Sequence, residues 1–152
     1  MCILKGVRLM RVVRNLALAS FVAATICSAA GVSAAGKPRI FFVEPKNGAS
    51  VKSPVKLKFG IENYTIAAVP DGTPATARPG VGHYHVGVDT GCLEPAKTIV
   101  KGTPSWIHFG KGDSEIDMQL TPGKHKLALQ LGDDLHNTVK GLCSTITVNV
   151  TQ

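Results

Sequence analysis

From Arg39 to the C-terminus, apolar and polar residues alternate in short runs, and no stretch sustains a 3.6-residue period. Period two is the mark of a strand with one buried face. "RIFFVEP" (39–45) predicts a short apolar strand stopped by Pro45. "KNGAS" (46–50) predicts a turn, because Asn-Gly favours positive φ. In "VKSPVKLKFGI" (51–61), Val55, Leu57 and Phe59 take one face, while Lys56 and Lys58 take the other. "EIDMQL" (115–120) turns Ile116, Met118 and Leu120 inward, and "KHKLALQL" (124–131) does the same with Leu127, Leu129 and Leu131. "STITVNV" (144–150) buries Ile146, Val148 and Val150. Glu62–Gly82 holds three prolines and three glycines without periodicity, and reads as a long covering or functional loop.

The stretch "GVGHYHVGVDTG" (80–91) is the most informative. Strand alternation puts Tyr84, Val86 and Val88 on one face, which reads as core. His83, His85, Gly87 and Asp89 fall on the other, which reads as an outward polar face. The strands expected are therefore 39–43, 55–61, 83–89, 97–100, 115–120, 125–131 and 144–150. Seven short strands at this spacing predict an all-β fold, a single antiparallel sandwich of immunoglobulin-like type. In that topology the second-to-third, fourth-to-fifth and sixth-to-seventh connections meet at one pole. His83 and His85 begin their strand there. His108 lies in the fourth-to-fifth connection and His136 in the sixth-to-seventh, so four histidines converge. His125 and Asp89 fall toward the other pole.

The N-terminal segment changes the charge and the compartment. Lys5, Arg8, Arg11 and Arg14 precede an apolar run from Leu16 to Ile26 and then small residues, the three-part pattern of a secretory signal peptide. The expectation is a signal peptide over 1–35 and one domain over 36–152. The apolar run is short for a membrane span, so no stable span remains after cleavage. Ile26 before Cys27 argues against lipidation. Residues 1–35 carry four basic and no acidic residues, so the net charge falls from +7 to +3 on cleavage. No dense basic run remains, and nucleic-acid binding is not expected. Localisation is expected to be periplasmic or secreted.

Cys92 and Cys143 remain after cleavage, and an isolated pair in an oxidising compartment is expected to be a disulfide. The predicted strand ends resist it. Cys92 follows its strand at the far pole and Cys143 precedes its strand at the histidine pole, whereas a bridge needs α-carbons within about 7 Å.

"GHYHVGVDT", "HFGKGDSE", "TPGKHKLALQLGDDLH" and the terminal "STITVNV" together resemble a family of secreted bacterial domains of unknown function. Its members show Gly-His-x-His, His-Phe-Gly-Lys-Gly and Pro-Gly-x-His motifs. Tyr84 stands where a middle histidine is common, and "TGCLEP" and Cys143 also depart from the pattern. The resemblance implies the fold and export, and little about chemistry.

For chemistry, neutral imidazole is the commonest transition-metal ligand, and His-x-His on a strand offers two on one face. His83, His85, His108 and His136 are the candidate ligands of copper or zinc. Asp133 and Asp134 are candidates to orient an imidazole, or else form a solvated turn. Neither cysteine neighbourhood fits a blue-copper loop. "HFGKGDSE" lacks the spacing of a phosphate loop and reads as a tight turn. No nucleophile–base pair assembles around Ser105 or Ser114, so no enzyme is expected. The alternative to a metal-binding domain is an envelope accessory module that binds protein or glycan, with structural histidines.

Overall fold

The computed structural model describes residues 36–152 apart from Thr73, Lys101 and Pro104. The expected signal segment and its cleavage site therefore lie outside the described residues. The described chain is all-β. Its elements are β1 (Arg39–Glu44), β2 (Ser50–Lys52), β3 (Val55–Glu62), β4 (Thr65–Ile66), β5 (Val81–Val88), β6 (Trp106–His108), β7 (Glu115–Met118), β8 (Gly123–Gly132) and β9 (Thr138–Thr151).

One sheet has the order β1-β3-β7, and the other has the order β2-β9-β8-β5-β4, with β6 also pairing β5. All pairs are antiparallel except β2 with β9 and β4 with β5. The immunoglobulin-like sandwich is therefore observed. Its core lies between the sheets and takes the residues that alternation assigned to it. Leu57, Val86, Leu127, Leu129, Leu131 and Val148 are fully buried. Phe59 packs against Tyr84 with ring centres 5.2 Å apart and against Phe109 at 5.3 Å. Burial pushes the Tyr84 hydroxyl up to about 12, because the phenolate would lose its solvation. The Asn47-Gly48 turn forms as expected, with Gly48 at φ 81°.

Four expectations change. The strand expected at 97–100 is absent. Only Thr98 bridges Asn137 there, and the neighbour of β5 is instead β6, which carries His108 on a strand rather than in a connection. The last strand begins at Thr138, not 144. That shift resolves the cysteine difficulty. Cys143 lies inside β9 opposite Gln130, and the chain after Gly91 turns back over the sheet to meet it. The Cys92–Cys143 disulfide forms with α-carbons 6.0 Å apart. The strand expected at 115–120 is shorter, ending at Met118.

The fourth change concerns the second face of β5. His83 and His85 do lie opposite Tyr84, but the face is not outward. Both residues are 0% exposed. The segment that runs back from Cys92 is a strap across it. The Gln130 side chain brackets Leu93 by accepting from its N–H and donating to its carbonyl, at 2.8 and 3.0 Å. Thr138 N–H donates to the Lys97 carbonyl, and Ile99 N–H donates to the His136 carbonyl. Ile99 is buried with Trp106 and Ala128 in a second, smaller apolar cluster on this outer side. Alternation fixes which face a side chain takes, but it cannot see a non-periodic strap laid over that face.

Candidate metal centre

Three strand positions and one turn bring the histidines together. His83 and His85 are two residues apart on β5 and so share a face. His108 is the direct partner of His85 across the β5–β6 ladder. His136 comes from the β8–β9 turn, where it holds a left-handed φ of 64°. Asp133 shapes that turn. Its carboxylate accepts from the N–H groups of Leu135 and Asn137 at 2.9 and 2.8 Å, and His136 N–H donates to its carbonyl at 2.8 Å.

All four expected ligands meet. One candidate ligand nitrogen from each lies within 4.8 Å of the others. Ring centres are 4.5 Å apart for His83–His85 and 4.7 Å for His108–His136. Nε2 of His136 and Nε2 of His108 are 3.0 Å apart and share a hydrogen bond, so one ring is the donor and the other accepts on a bare nitrogen. Neither ring nitrogen of His85 makes a hydrogen bond of ordinary geometry, although both are buried. Burial, then the other three imidazoles, lower His85 to about 2; the His83 backbone acts weakly the other way. His85 is thus held neutral, the form that coordinates a metal.

Two glycines make room for the rings. A β-carbon on Gly132 would stand 2.6 Å from Cε1 of His85, and one on Gly110 would stand 2.3 Å from Cε1 of His108. Sequence reasoning did not single out Gly132, and it read Gly110 only as part of a turn. Gly132 sits directly across from His83 in the β5–β8 ladder, a relation visible only once the register is known.

Asp134 is buried, and its carboxylate is held by Arg78. The Arg78 backbone N–H, Nε and Nη2 donate to it at 2.9, 2.8 and 2.7 Å. This Arg78 bonding, against the opposing effect of burial, holds the Asp134 carboxyl down to about 2. Arg78 also donates to the Ala68 carbonyl, so the pair pins the 67–80 connection between β4 and β5, narrower than the expected 62–82 loop, beside the histidines. Arg78 escaped notice because its loop has no periodic pattern. A cleft of about 800 Å3 opens beside the centre, lined by His108, His136, Phe109, Lys111 and Leu135 among others.

His125 and Asp89 lie together at the opposite end of β8, as expected. His125 Nδ1 and Asp89 Oδ2 are 2.9 Å apart, and Nε2 of His125 faces the Thr121 carbonyl at 2.8 Å. Both nitrogens face acceptors. The Thr121 carbonyl, and then Asp89 against a burial effect, raise the His125 pKa.

Fold and site define a small β-sandwich with four clustered imidazoles on its outer face, two buried and two half-buried. Residues 57–151 match the family described as "Domain of unknown function (DUF4399)", and the chain belongs to that family. No curated protein and no solved structure matches the chain.

Proposed function

We propose that the domain binds one transition-metal ion, copper or zinc, through His83, His85, His108 and His136. The observation that carries this reading is four imidazoles converging on one point, one of them, His85, fully buried with no ring hydrogen bond of ordinary geometry. A buried polar group with no partner costs about 1–3 kcal/mol. An ion would satisfy it, and would replace the proton between His108 and His136. Four protein ligands fill a tetrahedral shell, whereas catalytic zinc keeps a position open for water. The reading is therefore a binding, carrying or storage protein rather than an enzyme. With the signal-like segment at 1–35, its place is the periplasm or the exterior.

Metal titration of the purified protein by calorimetry tests this. One ion per chain is expected for the wild type, and none at this site for His136→Ala. No heat and no thermal shift with copper or zinc would end the reading. The second reading is an envelope module that docks a protein or glycan in the adjacent cleft, whose size suits a ligand site. It predicts binding that survives His136→Ala.

A further inference from the structure

We infer that the tetrad selects closed-shell tetrahedral ions, Zn(II) and Cu(I), against Cu(II) and Ni(II). The inference rests on the metal reading above and adds which ions the site accepts. The six ring-centre separations are 4.5 Å for His83–His85, 4.8 Å for His83–His108 and 4.9 Å for His83–His136. They are 5.2 Å for His85–His108, 5.6 Å for His85–His136 and 4.7 Å for His108–His136. Four points with six nearly equal separations form a tetrahedron.

The scale fits as well. An imidazole nitrogen binds zinc at about 2.0–2.1 Å, and the ring centre lies about 1.2 Å farther out, so tetrahedral ligation puts ring centres about 5.2 Å apart. A square plane with similar bonds would give four separations of about 4.5 Å and two of about 6.4 Å, the arrangement that Cu(II) and Ni(II) favour. The longest separation here is 5.6 Å, so no two rings stand opposite each other.

Flattening the set is resisted by the fold. His83, His85 and His108 sit on paired strands, so the β5–β6 and β5–β8 ladders fix where their side chains are attached. His85 is walled in by Gly132, and Ile99 packs against the same spot. In a pliable site, the ordinary order of affinity would put Cu(II) above Zn(II). Here shape opposes that order.

The test is a set of competition titrations on the full chain, followed by native mass spectrometry and calorimetry. Zn(II), Ni(II) and Cu(II) are supplied in air, and Cu(I) as its acetonitrile complex without oxygen. His136→Ala, run in parallel, separates the tetrad from binding elsewhere on the chain. Zn(II) and Cu(I) are expected to bind one per chain, at least tenfold more tightly than Ni(II), with Cu(II) weaker than Zn(II). Cu(II) binding tighter than Zn(II), with a tetragonal four-nitrogen electron-spin signal, would overturn the selectivity and leave the metal reading standing. If no ion binds the wild type more tightly than His136→Ala, the metal reading falls and the selectivity with it.

Discussion

His85 sits where a folded protein rarely leaves a polar ring: fully buried, with no ring hydrogen bond of ordinary geometry, and held neutral by that burial. Such a group opposes stability, and replacing it by an apolar residue of similar size is neutral or stabilising. His85→Leu is therefore expected to raise the metal-free stability by about 1 kcal/mol while abolishing stabilisation by zinc. Urea melts with and without zinc check both parts. The pH dependence has a definite sign. With the folded value lowered to about 2 and an unfolded value near 6.5, the unfolded chain takes up a proton that the folded chain refuses. The His85 contribution to metal-free stability is then complete above about pH 6.5 and is lost progressively as pH falls below it. His85→Leu should lose that part of the slope, measured by melts between pH 7.5 and 5. Gly132→Ala makes a separate test. Its methyl group would drive into a ring that has nowhere to go, so zinc affinity should fall at least tenfold with β8 still formed, as checked by calorimetry and circular dichroism.

At the level of elements, the strap explains why part of the site was legible in the sequence and part was not. Period-two alternation gave the core faces of β3, β5, β8 and β9 because one face of each strand is apolar and the other is not. It also brought His83, His85, His108 and His136 to one end through topology alone. It failed at 97–100 and at the start of β9, where side-chain pattern is overruled by tertiary bonds. Thr138 is buried and bonded to the Glu94 carbonyl by its hydroxyl, so a polar residue there extends the strand. The disulfide ties the strap to β9 across 51 residues. Closing a loop of that length stabilises by about 4 kcal/mol on the chain-entropy account. The double variant Cys92→Ala/Cys143→Ala is expected to lose about 2–4 kcal/mol in urea melts. It should also speed hydrogen exchange at Leu93 and Ile99, strap residues whose amides donate to the Gln130 side chain and the His136 carbonyl.

Across the described domain, the core and the histidine cluster lie on opposite sides of one sheet, with β5 belonging to both. Tyr84→Ala should cost about 3–5 kcal/mol as a large buried truncation. By then comparing zinc affinity in the fraction that remains folded, the two sides can be separated: an affinity within threefold of wild type is expected, because Tyr84 faces away from the tetrad. The Asp89–His125 pair acts in the other direction on pH. A histidine raised by its partners stabilises below its unfolded value, and that contribution is lost as pH rises through the folded value. The two poles of the sandwich therefore respond oppositely to protons.

The parallel pairing of β2 with β9 sets the order of events in time. Val51 lies beside Val150, and Thr151 donates its hydroxyl to the Val51 carbonyl, so the ends of the domain are stitched across about a hundred residues. Contacts this distant in sequence are slow to find, and domains dominated by them fold in milliseconds to seconds. The larger sheet gains its β2 edge only after the last strand is available. A chain released strand by strand would wait, with the larger sheet lacking β9 and its β2 edge, until residues near Val150 arrive. Loss of residues 146–152 should therefore prevent cooperative folding altogether, rather than trim one edge of the domain.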